Sequence, residues 1–153
     1  YYEEKNDPKR IIDIVKASSS LPFVCPISYV DGTPMLDGGI ADSIPLERAR
    51  TLGYDRNVVV LTRNKGYRKP DKPGTVPPLF YHKYPALRKA IRDRNALYNQ
   101  QIAEVERLEE QGELIVIRPQ QPIVVDRMER DTRKLLDLYN EGYRCAAALE
   151  YKK

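Results

Sequence analysis

A run of consecutive apolar residues places the strongest constraint on how this 153-residue chain folds. Asn57–Thr62 reads NVVVLT, and three successive valines favour an extended strand because branching at Cβ suits a pleated backbone. The run lacks the alternation of apolar and polar residues that marks a strand with one face in water. It therefore predicts a strand that is covered on both faces, as in a parallel sheet.

Two further patterns precede this strand. Residues 28–36 carry Asp31-Gly32 between short apolar pieces, which is typical of a β-hairpin because glycine tolerates a positive φ. Apolar side chains then recur at helical spacing and are followed by a glycine; these residues are Leu46, Ala49, Leu52 and Gly53. Residues 28–62 thus predict strand, turn, strand, helix and strand, which is an α/β pattern.

Three longer segments are predicted to be helices, and a second β-branched run, Leu114–Ile117, is predicted to be a strand. The predicted helices are Pro8–Ser19, Tyr84–Gln111 with an apolar stripe broken by Arg94, and Arg127 or Met128 to about Glu150 with a break at Gly142. The run Phe23–Ile27 is apolar but interrupted by proline, so we predict that it is buried and irregular.

Basic residues are concentrated in Arg63–Arg94, which carries ten Lys and Arg against two acids, although the net charge of the chain is only +4. The first part, Arg63–Phe80, is rich in Pro and Gly and predicts a long loop. A solvated face is the ordinary interpretation of such a tract. The functional alternatives are phosphate groups on a lipid surface or on nucleic acid, and no RNP, KH or zinc-finger pattern supports nucleic acid.

The counts of reactive side chains exclude several classes of site. Cys25 and Cys145 are too few for a disulfide framework or a zinc site, and we expect reduced thiols. The single histidine, His82, excludes a multi-histidine metal centre and is expected to be a surface or capping residue. The apolar runs are far shorter than the ~20 residues of a membrane span, and no signal peptide is visible. The sequence implies no metal and no organic cofactor.

The tripeptide Asp37-Gly38-Gly39 is the sharpest candidate for chemistry. A carboxylate on a turn, followed by two residues without side chains, can approach another group closely and act as a general base or orient a nucleophile. Asp and Gly are also common in plain turns for backbone reasons alone. The tripeptide by itself leaves both interpretations open.

The surroundings of this tripeptide resemble the second half of the catalytic domain of patatin-like phospholipases. The residues that carry the resemblance are Ala17, Ser18, Pro22, Asp37, Gly38, Gly39, Ile44, Pro45, Ala49 and Gly53. The family's asparagine before x-Pro is replaced by Ser43, which we expect to keep a capping role. The likeness covers residues 8–62. From Arg63 onward the chain is similar, more weakly, to the C-terminal extension of a bacterial branch of the family.

The resemblance implies part of a three-layer α/β hydrolase domain, followed by a mainly helical extension. It also implies a Ser-Asp dyad without histidine, in which Asp37 takes the proton of a serine held in a G-x-S-x-G elbow. A glycine-rich loop supplies the oxyanion hole in such a site. The implied substrates are acyl esters of phospholipids or other lipids.

Neither the elbow nor the glycine-rich loop occurs in the chain, and Ser18–Ser20 lack flanking glycines. We expect these serines to end a helix beside the site. We therefore expect the C-terminal part of a longer hydrolase that is inactive alone, with residues 1–62 from the catalytic domain, 63–83 as a basic loop and 84–153 as the helical extension. The strand Val58–Leu61 then needs cover from a second copy, from helices or from an upstream segment.

The basic tract gains a second interpretation beside this resemblance. The candidates for contact with an anionic lipid surface are Arg63, Lys65, Arg68, Lys69 and Lys72, with Tyr67, Phe80, Tyr81 and Tyr84 at head-group level. A cytoplasmic protein, peripheral to the membrane, is expected. The alternative is a non-catalytic module that binds an acidic surface or a protein partner, with Asp37 in an ordinary turn.

Overall fold

A computed structural model describes residues 1–126 and 129–149 as a mixture of helices and small sheets. The helices are α1 (Pro8–Ser18), α2 (Leu46–Thr51), α3 (Pro85–Glu110) and α4 (Thr132–Ala147). The strands are β1 (Ser28–Val30), β2 (Thr33–Met35), β3 (Asn57–Val60) and β4 (Leu114–Ile117), and a short 3-10 helix covers Gly38–Ile40. The mixture agrees with the predicted α/β class.

The chain divides into two compact units. Unit 1 comprises Tyr1–Pro45 and Lys69–Gln101, and unit 2 comprises Leu46–Arg68 and the described residues from Ile102 onward. Helix α3 contributes its first part to unit 1 and its last part to unit 2. Each unit has its own buried apolar residues, and each is described by itself below.

Unit 1 is built around α1 and the β1–β2 hairpin. The carboxylate of Asp7 caps α1 by accepting hydrogen bonds from the backbone N–H groups of Lys9 and Arg10. The strands pair antiparallel, with Val30 opposite Thr33, and both residues of the predicted turn, Asp31 and Gly32, have positive φ. This is the conformation that a two-residue hairpin requires, so the predicted hairpin is confirmed. The buried apolar residues are Ala17, Val30, Ile40 and Ile91.

Unit 2 contains the parallel pair of β3 and β4, in which Val58 lies opposite Ile115 and Val60 opposite Ile117. Its buried apolar residues are Leu46, Ile102, Val105, Leu108 and Leu114. The prediction that the valine run forms a strand of a parallel sheet is confirmed. The described residues cover this pair on one face only, because Val58 and Val60 are 54% and 68% exposed; the second face is left open, as expected of a strand that needs cover from elsewhere.

Two other expectations are corrected, and a third falls partly outside the described residues. Phe23 and Val24 of the run predicted to be buried are exposed, since they lie in a turn at the surface of unit 1. Helix α4 runs through Gly142 without a break, because helical hydrogen bonds outweigh the small intrinsic cost of one glycine. The predicted start of that helix at Arg127 or Met128, and its end at Glu150, lie outside the described residues; the described helix begins at Thr132 after the cap Asp131.

Several element boundaries match the predictions within one or two residues. Helix α1 ends at Ser18 and α3 spans Pro85–Glu110, while Arg63–Phe80 contains neither helix nor strand. Across 1–126 and 129–149, every helix is too short or too polar to cross a bilayer.

Candidate functional site

The carboxylate of Asp37 is fixed at the start of the short 3-10 helix. Its Oδ1 accepts a hydrogen bond from the backbone N–H of Gly39 at 2.7 Å, which is a capping contact. The backbone N–H of Asp37 donates to the carbonyl oxygen of Ser20 at 2.8 Å and ties this turn to the end of α1. The position of the carboxylate is therefore set by the backbone on both sides.

The second oxygen of this carboxylate is open. Asp37 is half-buried, and Oδ2 accepts no hydrogen bond from any of the described residues. A carboxylate with one oxygen held and the other open can receive a proton from a donor placed beside it. The geometry thus suits a general base. The same geometry also occurs in an ordinary turn in which an aspartate caps the backbone.

The two glycines after Asp37 have different surroundings. A Cβ on Gly39 would lie 3.0 Å from Oδ1 of Asp37, so any side chain there would crowd the carboxylate. A Cβ on Gly38 would lie 3.6 Å from Oγ of Ser18, which is ordinary contact. The missing side chain at Gly39 therefore leaves room beside the carboxylate of Asp37, as the Asp-Gly-Gly pattern predicts. The missing side chain at Gly38 makes no such difference.

Two side chains that the sequence interpretation did not assign to the site hold the carbonyl of Gly39. Arg94 of α3 donates from Nε at 3.0 Å, and the hydroxyl of Ser43 donates at 2.8 Å. The signal for Arg94 was visible in the sequence, because a charged residue that interrupts an apolar helix stripe needs a polar partner on that face. Because the hydroxyl of Ser43 donates to the preceding turn, and α2 begins only at Leu46, the capping role expected of Ser43 is not found among the described contacts.

A third side chain, Gln101 of α3, holds the segment that follows. Its Nε2 donates to Oδ1 of Asp42 at 2.5 Å, and its Oε1 accepts from the backbone N–H of Ile44 at 3.2 Å. The hydroxyl of Tyr1 donates to Oδ2 of the same aspartate. The segment after the glycines is thus tied to α3, which no local sequence pattern indicated.

The serines that precede the turn have structural contacts. Ser20 is buried, and its Oγ lies 2.7 Å from both the carbonyl oxygen of Lys16 and Oγ of Ser28. Ser18 and Ser19 are exposed at the end of α1. Their position beside the turn agrees with the expectation that they end a helix next to the site.

The five cations predicted to face lipid are divided between the units. In unit 2, Arg63 lies over the ring of Tyr67, Lys65 is 3.7 Å from Glu110, and Arg68 is 2.5 Å from Glu106. The hydrogen bond from Arg68 lowers the pKa of the Glu106 carboxyl below its usual range. In unit 1, Lys69 lies 4.1 Å from the centre of the Tyr98 ring, and Lys72 is exposed. Their contact with lipid remains a prediction.

A metal site and an enclosed cavity beside Asp37 are two further features that would bear on chemistry in the described part of the chain. No group of three or more His, Cys, Asp and Glu side chains is placed there to hold a metal ion. Two surface cavities of about 400 and 390 Å³ lie in unit 2, and neither is lined by Asp37.

We expect Arg94→Gln to lower the free energy of unfolding by about 1–2 kcal/mol, because a charged donor to the half-buried carbonyl of Gly39 is lost. Urea denaturation followed by circular dichroism measures the change. The matched control is Arg92→Gln, which removes the same charge from an exposed position of α3 and should change stability by less than about 0.5 kcal/mol. Equal losses in the two variants would show that the contact of Arg94 contributes nothing.

Two family models match parts of the chain. The model of the family described as patatin-like phospholipase matches residues 1–50, which include Asp37, Gly38 and Gly39. The model of a domain of unknown function (DUF6363) matches residues 84–150. No curated protein and no solved structure matches the chain. The patatin match supports the family for the first third of the chain and a relation to lipid hydrolases.

Proposed function

We propose that this chain is the C-terminal portion of a patatin-like lipid acyl hydrolase, and that Asp37 is the acidic member of its Ser-Asp dyad. One observation carries the proposal. The carboxylate lies within the segment that matches the family, one oxygen is held by the N–H of Gly39, and the other oxygen is open. A catalytic base needs this combination of fixed orientation and an available oxygen.

The reaction follows from that arrangement. A serine supplied by a segment outside these 153 residues attacks the carbonyl carbon of an acyl ester, and Oδ2 of Asp37 takes the hydroxyl proton. The tetrahedral intermediate then expels the alcohol, which receives this proton, and leaves an acyl-serine. Water attacks the acyl-serine in the same way and releases the fatty acid. The chain's own contribution is to hold Asp37, through Gly39 and the neighbouring contact of Arg94.

The exposed face of unit 2 fits the same proposal. Val58, Val60 and Ile115 present an apolar surface on a sheet that has two strands in the described part of the chain, and such a surface is normally covered. In the proposed hydrolase these strands belong to a larger sheet of a three-layer domain, with the cover supplied by the segment that bears the serine. A second copy of the chain is the alternative cover.

A serine-directed fluorophosphonate probe tests the proposal. The full-length protein should be labelled at one serine outside the 153 residues, and the isolated chain should remain unlabelled. Labelling at Ser18, Ser19 or Ser20 would place the nucleophile within this chain and contradict the proposed division. A full-length protein that neither reacts with the probe nor hydrolyses esters would favour the non-catalytic binding module instead.

A further inference from the structure

Two turns of unit 1 present apolar side chains to solvent. The first covers Leu21–Cys25 and the second covers residues 77–81, and we call them together the aromatic turn pair. Val24 is 78% exposed in the first turn, and Leu79 is 88% exposed in the second. Exposed aliphatic side chains at turn tips lose nothing by entering an apolar medium and gain the free energy of leaving water.

Aromatic contacts join the two turns into one surface. The ring of Phe23 lies 5.3 Å from the ring of Phe80 and 5.4 Å from that of Tyr81. The backbone N–H of Phe23 also donates to the hydroxyl of Tyr81 at 2.9 Å. Residues that are far apart in sequence thus join the two turns through one cluster of aromatic contacts.

Backbone contacts hold this surface in place. The guanidinium of Arg88 donates to the carbonyl oxygen of Pro77 at 3.0 Å and also to that of Phe80. Phe23 and Tyr81 have φ values of 66° and 54°, which is an uncommon conformation for bulky side chains. The two turns are therefore fixed by several contacts, and Phe23 and Tyr81 carry a cost in backbone strain.

The two sequence stretches that contain the turns carry charged side chains of one sign, Lys and Arg without Asp or Glu. No carboxylate side chain occurs between Asp13 and Asp31 or between Asp71 and Asp93, the two stretches that contain the turns. The second stretch carries five basic residues, namely Lys72, Lys83, Arg88, Lys89 and Arg92. Lys83 is exposed two residues after Tyr81. Apolar tips with nearby cations and without nearby acids in sequence match an anionic lipid interface.

We propose that the aromatic turn pair docks unit 1 on an anionic phospholipid bilayer, with Val24 and Leu79 entering the acyl boundary and Lys83 at the level of the phosphates. The choice of a lipid surface over a protein surface rests on the proposed function, because a lipid hydrolase must reach esters in a bilayer. The apolar part of the proposed interface is thus formed by Val24 and Leu79, which are distinct from the five cations that the sequence predicts to face lipid.

The absence of tryptophan from the chain gives a direct test. In Leu79→Trp, the fluorescence emission should shift to the blue on addition of phosphatidylcholine vesicles with about 30 mol% phosphatidylglycerol, because the indole leaves water. Val124→Trp is the matched control, since Val124 is 83% exposed in unit 2, and its emission should not move. An unmoved spectrum for Leu79→Trp, or equal shifts in both variants, would overturn the proposal.

Vesicle flotation of the chain supplies a second measurement. The double variant Val24→Ser and Leu79→Ser should bind the same anionic vesicles at least about tenfold more weakly than the unaltered chain. The control Val124→Ser and Leu136→Ser, which also removes two exposed aliphatic side chains, should bind as the unaltered chain does. Loss of binding in the control alone would assign the lipid contact to unit 2 and refute the proposal. Circular dichroism verifies that each variant is folded.

The docking proposal and the hydrolase proposal fail separately. Binding of the chain to vesicles does not require Asp37, so binding without any ester hydrolysis by the full-length protein would contradict only the hydrolase. In an active full-length protein, Val24→Ser with Leu79→Ser should reduce hydrolysis of vesicle lipid but leave hydrolysis of a water-soluble short-chain ester unchanged. Equal loss on both substrates, or no vesicle binding by the chain, would contradict the docking surface.

Discussion

Replacement of Asp37 by asparagine in the full-length hydrolase that we propose should lower kcat for ester hydrolysis by about a thousandfold or more. Asparagine has nearly the same volume, and its amide oxygen can still accept the hydrogen bond from the N–H of Gly39. The amide cannot take a proton from serine, so the loss is that of a general base, which typically contributes about 10²–10⁴ in rate. Initial rates with a soluble ester and with phospholipid vesicles measure the effect.

A matched substitution distinguishes the loss of the catalytic base from the loss of one negative charge on the protein. Asp71→Asn removes a carboxylate from an exposed position of the same unit and should leave kcat within about twofold. Denaturation midpoints for both variants show that the fold is retained. Full activity of Asp37→Asn would remove the basis of the proposed dyad, whatever the family resemblance of the surrounding residues.

Gly74→Ala should destabilise the chain by about 3 kcal/mol, near the upper end of what overpacking costs. A Cβ at this position would lie 2.3 Å from the carbonyl oxygen of Ile91 and 3.2 Å from its carbonyl carbon, and both are backbone atoms of α3. The N–H of Gly74 also donates to the carbonyl oxygen of Arg92 at 2.9 Å. The loop must move away from the helix to admit a methyl group, and this hydrogen bond is then lost.

Gly142→Ala is the control for this substitution because it adds the same methyl group in open space. Among the described residues, no heavy atom other than those of its chain neighbours and of the helix's own backbone lies within 4 Å of the position that its Cβ would take, and the residue is within α4. Alanine is favoured over glycine in a helix, so stability should rise by about 0.5–1 kcal/mol. Urea denaturation of the two variants should therefore give shifts of opposite sign. A neutral Gly74→Ala would show that the loop does not pack on α3 as described.

Elements with a strong local pattern were predictable from the sequence. The hairpin follows from Asp31-Gly32, which permits the positive φ that its turn requires, and α1 follows from the capping residue Asp7 before Pro8. The long helix α3 follows from its apolar period, and the parallel strand β3 from its valines. In each case, the residues that determine the structure lie within a few positions of it.

The sequence did not predict which apolar side chains are exposed to solvent, or which residues the polar side chains contact. Phe23 and Val24 read as buried because they are apolar, but their turn lies at the surface, where the rings of Phe80 and Tyr81 pack against Phe23. The contact of Arg94 with Gly39 joins residues of distant segments. Only the path of the chain in space brings such groups together.

The sequence by itself determined where the helices and strands form and that a carboxylate stands at a tight turn before two glycines, because capping, turn chemistry and apolar period are local effects. The tertiary structure alone decided which oxygen of Asp37 is held, that α3 supports the turn through Arg94 and Gln101, and that Val24 and Leu79 face water. These features depend on contacts between segments distant in sequence, and the free energy of burial selects such contacts for the whole chain at once.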